Sequence, residues 1–219
     1  MHSKTHLRIV GSSQTRQVVA HYKSPESKKR KSSLTFNCMV RGTNNDHFHT
    51  PIDELAALLE RLKGQRIIPK YGLLQDAGAG DARVLASAAS IGLGAYGAER
   101  DEDFFLYGVA NLTYLQSRGA IPNGELASII PGDFNEESTY EESGFKPNDF
   151  GTLFHSSIHK TPKKLVERVV DQAKPGTIFV NINHCRRHQE LHKMKVVESE
   201  IIRDSGIPFY AHVYKKRKK

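Results

Sequence analysis

Histidines at spacings of four are the residues here best suited to chemistry: His155-x3-His159 and His184-x3-His188-x3-His192. Imidazole titrates near neutral pH, so two of these rings can act as general base and general acid in phosphodiester cleavage. That makes His155, His159, His184 and His188 the candidate catalytic groups. Lys160, Arg186 and Arg187 stand beside them and would hold phosphates. Neutral imidazole also binds divalent metal, so His184, His188 and His192 form an alternative metal set. The segment His188-Gln189-Glu190-Leu191-His192 has Gln where a zinc HExxH has Glu. The plainer reading makes all of these histidines surface groups or helix caps.

The elements that must position these rings lie in the C-terminal third. Residues 151–155 read as a strand, and Thr161-Pro162 opens a helix over 163–173. Lys174-Pro175-Gly176 stops it, and residues 177–183 form a second strand. A helix over 186–204, with Leu191, Met194, Val197, Ile201 and Ile202 on one side, leads to a last strand over 207–214. Strand–helix–strand–helix–strand is the pattern of a parallel sheet with right-handed crossovers. The strands would end together on one edge, where open α/β folds bind ligands. His155 ends the first, Asn181, Asn183 and His184 the second, and His212 and Tyr214 the third.

Residues 7–22 and 33–41 read as strands, separated by a Ser- and Lys-rich loop over 23–32. Pro51 to Lys63 is a helix with the stripe Leu55, Leu58, Leu59 and Leu62. Residues 65–74 read as a strand, 81–97 as an Ala- and Gly-rich helix, and 101–118 as another helix. Residues 119–150, rich in Pro, Gly and acids, read as a long excursion. The expected fold is a single α/β domain over 1–219, with a mixed sheet, a parallel βαβαβ part at about 151–214 and helices on the faces. A basic loop 23–32, the acidic excursion 119–150 and a basic tail 215–219 decorate it.

Two further motifs bear on function. His47-Phe48-His49 resembles the His-hydrophobic-His triplet by which HUH endonucleases hold a metal, so His47 and His49 join the metal candidates. Gly92-Leu93-Gly94-Ala95-Tyr96-Gly97 fits GxGxxG but follows a helix-forming run, which marks a hinge or a tight helix contact rather than a nucleotide site. The sequence holds no GxxxxGK[ST] and no GxSxG.

The formal net charge is +8, unevenly spread: +7 over residues 1–50, −8 over 99–150 and +9 over 151–219. Lys28, Lys29, Arg30 and Lys31, with Lys215, Lys216 and Arg217 of the tail, are candidate phosphate-binding groups, because concentrated basic charge draws polyanions. No run reaches the roughly 18 apolar residues of a membrane span. Residues 1–13 show no apolar core of a secretory signal. The two cysteines, Cys38 and Cys185, form no CxxC pair, which fits the cytoplasm or a nucleus. The expected function is nucleic-acid interaction, with cleavage as a nuclease. A non-catalytic DNA- or RNA-binding module is the alternative, and an enzyme for a small phosphorylated or nucleotide substrate a further one. No cofactor is assigned, although a divalent metal fits the histidines. The partner is nucleic acid and no membrane, and the oligomeric state is left open.

Overall fold

The computed structural model describes residues 12–30, 50–69, 72–123, 126–141, 143–146, 149–156, 161–183, 191, 193–204 and 207–217. Seven strands form one sheet: β1 (Leu74–Ala77), β2 (Ala95–Glu99), β3 (Ala127–Pro131), β4 (Thr152–Ser156), β5 (Ile178–Asn183), β6 (Lys195–Asp204) and β7 (Ile207–Lys215). Their order across the sheet is β3-β2-β1-β4-β5-β7-β6. Strands β1 to β5 run parallel, and β7 runs antiparallel to both β5 and β6. The α/β class and the mixed sheet read from the sequence are therefore what the chain adopts.

Helices cover both faces. On one lie α1 (Ser13–Lys23), α2 (Ile52–Gly64), α3 (Arg83–Ser90) and α4 (Glu102–Ser117). Their apolar residues, including Val18, Leu55, Leu59, Leu85 and Leu112, pack on Leu74, Phe154, Val180 and Val213 of the sheet. On the other lie α5 (Ser138–Glu141) and α6 (Lys163–Glu167), which continues as a π-helical turn, Arg168–Gln172. Tyr140, Phe150, Leu165 and Val169 pack there on Tyr96, Leu153 and Phe179.

Several elements differ from expectation. Residues 13–22 of the expected strand 7–22 belong to the helix α1. Thr15, Val18, Val19 and Tyr22 are buried at the i, i+3, i+4, i+7 spacing of one helix face. Ser12 caps it, its hydroxyl accepting the Thr15 amide at 3.1 Å. Within the expected loop 23–32, residues 25–30 are helical. The excursion 119–150 contains β3 and α5. The expected helix 186–204 is overturned over 195–204, which is β6. Val196, Val197, Ile201 and Ile202 are β-branched and suit a pleated surface. Because β6 returns directly into β7, β7 enters the sheet antiparallel. That places His212 opposite Asn181 and Tyr214 opposite Phe179, not at a shared carboxyl edge.

Candidate active site

The carboxyl end of β1 runs into Asp76-Ala77-Gly78-Ala79-Gly80-Asp81, a turn that brings the chain back into α3. Gly78 (φ +86°) and Gly80 (φ +52°) take left-handed conformations that glycine adopts at no steric cost. A side chain at Gly80 would meet nothing within 4 Å, and one at Gly78 only the Phe134 ring at 3.8 Å. The backbone of this loop is therefore open on one side.

Neighbours hold the loop from the other sides. The Glu99 carboxylate, at the end of β2, accepts the Gly80 amide at 2.8 Å and the Asp101 amide at 2.9 Å. A Cβ on Gly97 would stand 2.6 Å from Ala79 Cβ, so only glycine lets β2 lie this close to the loop. A Cβ on Gly108 of α4 would stand 3.0 Å from the Gly80 carbonyl oxygen. The Asp81 carbonyl accepts the Tyr22 hydroxyl at 2.9 Å and the Asn111 side-chain amide at 3.0 Å. Its carboxylate is paired with Arg83, which also donates to the Thr50 carbonyl at 2.8 Å.

Three acids crowd this edge. Asp76 is 2% exposed. Burial, then the charges of Glu99 and Asp81, push its carboxyl well above the usual aspartate range. Burial also raises Glu99, against the two backbone amides that lower it. The edge thus gathers three carboxyl groups at close quarters, one of them paired with Arg83.

The segment after β3 closes the other side. Asp133 Oδ1 accepts the Asn135 amide at 2.8 Å. The Phe134 carbonyl accepts Arg168 Nη1 at 2.7 Å and the Tyr140 hydroxyl at 3.1 Å. The Tyr140 phenol, buried against Gln75, is pushed up to about 12 and stays a donor. So fixed, the Phe134 ring reaches both the Gly78 turn and the His155 ring, the latter at 6.3 Å between centroids.

His155, near the end of β4, is 4% exposed. Its Nδ1 lies 3.2 Å from Asn181 Oδ1, which also accepts the Thr161 hydroxyl at 3.0 Å. His212 stands opposite Asn181 on β7, its Nδ1 2.8 Å from Ser199 Oγ. His155, Asn181, His212 and Ser199 form one polar row across four strands.

Of the other expected site residues, His47, His49, His159, Lys31, Lys160, His184, Arg186, Arg187, His188 and His192 lie outside the described residues. Lys28, Lys29 and Arg30 are exposed on the helical residues 25–30. Lys215, Lys216 and Arg217 lie at the opposite edge of the sheet, where Lys215 pairs with Ile178 at the start of β5. Among the described residues, no group of three or more His, Cys, Asp or Glu is placed to hold a metal ion, and no helix is long and apolar enough to cross a membrane.

The glycine loop, Asp76 and Glu99 have no counterpart in the reading of the sequence, yet a signal is present. Gly78-x-Gly80 follows a buried strand and opens a helix, and an acid stands 19 residues beyond Gly80. The GxGxxG at Gly92 leads into β2 instead of following a strand.

No family model matches the chain, and no curated protein matches it. Solved structures do share its fold. An RNA methyltransferase from Salinibacter ruber, in complex with S-adenosyl-L-homocysteine, matches with a TM-score of 0.52 at 16% identity, over 74% of this chain and 92% of its own. A putative methyltransferase from Escherichia coli matches with a TM-score of 0.56 at 12% identity, over 79% and 90%. Magnesium protoporphyrin IX methyltransferase from Synechocystis PCC 6803, with bound SAM, matches with a TM-score of 0.57 at 11% identity, over 94% and 99%. These likenesses establish the fold. They overturn the expected nuclease: these three and a precorrin-6y methyltransferase from Geobacter metallireducens are methyltransferases, not phosphodiester hydrolases. The described edge is organised around a glycine loop and buried acids, and His155 is held inside the polar row.

Proposed function

We propose that this chain is an S-adenosylmethionine-dependent methyltransferase acting on nucleic acid. The observation that carries the reading is the Gly78–Gly80 turn, clamped to Glu99 at the carboxyl edge of a β3-β2-β1-β4-β5-β7-β6 sheet. Open α/β sheets bind their ligands on that edge.

The residues present fit the cofactor. The open face of Gly78 and Gly80 admits a ligand against the backbone, which any side chain would obstruct. Glu99 has oxygen lone pairs beyond those its two amides use, suited to ribose hydroxyls. Asp133 and Phe134 would take the adenine, one by hydrogen bonding and one by its ring. A cationic ligand beside Asp76 and Glu99 would favour their ionised forms against the burial that raises them. S-Adenosylmethionine supplies an electrophilic methyl group on a positively charged sulfur.

The acceptor side would be the end of β4. Asn181 fixes the His155 ring and Thr161 fixes Asn181, so an imidazole nitrogen is held ready to orient the acceptor or hold its proton. The exposed Lys28, Lys29 and Arg30 supply charge for a polyanionic acceptor. One of the fold neighbours is itself an RNA methyltransferase.

The test is methyl transfer from S-adenosylmethionine labelled in the methyl group to total RNA, single-stranded DNA and a protein extract. The expected result is label in nucleic acid, lost in Glu99→Ala. Label in protein alone would overturn the acceptor class, and absence of both transfer and cofactor binding would overturn the whole reading.

A further inference from the structure

A groove of about 600 Å³ runs between α1, the helical residues 25–30 and the flank of α4. Gln17, His21, Arg30, Tyr107, Tyr114 and Arg118 line it. We propose that this groove is the docking surface for single-stranded nucleic acid, a step that rests on the acceptor class named above.

Its aromatic wall is already built for stacking. The His21 ring stacks on Tyr114, with centroids 4.9 Å apart and planes 24° from parallel. His21 Nε2, 3.0 Å from Asn111 Oδ1, fixes that ring from the side. Tyr114 is 49% exposed, unusual for a tyrosine on a packed helix. Its outer face is a platform for a base, backed by a second ring.

Its charge fits a polyanion. Arg30 lies over the Tyr107 ring, 5.2 Å from the centroid, and Tyr107 is in turn tied to Ser27 at 3.0 Å. Arg118 stands at the C-terminal end of α4. Among the described residues, Glu26 is the one acid in the lining. Lys28 and Lys29, outside the lining, are exposed on the same short helical segment that carries Arg30.

Aromatic platforms inside a positive groove bind single strands, whose bases are free to unstack. A duplex hides those faces. The volume falls within the roughly 300–1,000 Å³ that takes a ligand of nucleotide size, so the remainder of a strand would track the basic rim.

Fluorescence anisotropy with labelled single-stranded RNA and DNA 20-mers and the matching duplexes, without cofactor, tests this. Wild type should bind single strands more tightly than duplexes. Tyr114→Ala should weaken single-strand binding about tenfold or more, and Tyr114→Phe should restore it. Lys29→Gln with Arg30→Gln should lower the slope of log affinity against log salt by about 1.4, at about 0.7 for each phosphate that is no longer neutralised. Lys163→Glu with Lys164→Glu, on the opposite face of the sheet, should bind as wild type does. Strong binding by wild type that Tyr114→Ala and the Lys29/Arg30 pair leave unchanged would overturn the groove while sparing the acceptor class. Wild type that retains no nucleic acid would overturn both. Calorimetric titration of the same variants with S-adenosylmethionine should give wild-type cofactor affinity, which separates this proposal from the cofactor site.

Discussion

The Glu99 carboxylate accepts the Gly80 amide at 2.8 Å, joining the end of β2 to the loop that leaves β1. A second oxygen of the same carboxylate takes the Asp101 amide, so Glu99 also caps the approach to α4. One side chain thereby sets the spacing of the two strands that would flank a bound nucleoside. Hydrogen bonds to a charged group are worth about 1.5–3 kcal/mol each. Glu99→Ala should therefore weaken S-adenosylmethionine binding by at least about tenfold and lower Tm; equilibrium dialysis and a thermal melt check the two effects. Unchanged affinity would remove Glu99 from the site.

Asp76 gives a pH prediction with a defined sign. Its folded pKa lies above its unfolded value, because burial and two neighbouring acids disfavour its charge. The protonated form is thus favoured on folding. That stability is fully present below the ordinary aspartate pKa and is lost as pH rises through the folded pKa. At pH 7 Asp76→Asn should raise the Tm of the ligand-free protein by about 2–4 °C for each kcal/mol relieved. The same variant should bind the cofactor more weakly. A melt showing Asp76→Asn less stable than wild type at pH 7 would contradict the account.

Gly97 tests the packing behind the loop. A valine there would drive its Cβ into Ala79, 2.6 Å away, with Leu85 closing the other side at 3.1 Å. Overpacking of this kind costs about 1–3 kcal/mol. Gly97→Val should show that loss in urea unfolding and should lose cofactor binding as well, because the displaced atoms belong to the loop.

Arg83 tests the corner of the site. It is 8% exposed and paired with the buried Asp81. Removing one member of such a pair strands the other charge and costs about 3–5 kcal/mol. Arg83→Met should show this in urea unfolding, and the double variant Asp81→Asn with Arg83→Met should recover part of the loss.

His155 separates catalysis from binding. His155→Ala should leave the cofactor Kd within about twofold of wild type and lower kcat about a hundredfold, the scale of a missing acid–base group. Equal loss in both would assign the ring to cofactor binding.

How far the sequence discloses this arrangement depends on the kind of signal. The α2 helix is plain because Leu55, Leu58, Leu59 and Leu62 repeat at helical spacing. β4 and β5 are plain because short apolar runs are bounded by Pro and Gly. α1 is harder: the adjacent Val18 and Val19 suggest a strand, and only the burial of Thr15 and Tyr22 on the same side completes the helical face. β6 alternates poorly, and its place at the sheet edge depends on pairing with β7, which no local pattern contains. At the site, His155 stands out by residue type. The Gly78 turn does not, because Arg83 occupies the position where a three-glycine fingerprint has its last glycine. Its meaning comes from Glu99, distant in sequence and adjacent in space.

Isothermal titration of the purified chain with S-adenosylmethionine tests the central claim most directly. The account predicts one site with micromolar affinity, competed by S-adenosyl-L-homocysteine and weakened at least about tenfold in Glu99→Ala. Absence of binding at millimolar ligand, or binding that Glu99→Ala leaves intact, would contradict it.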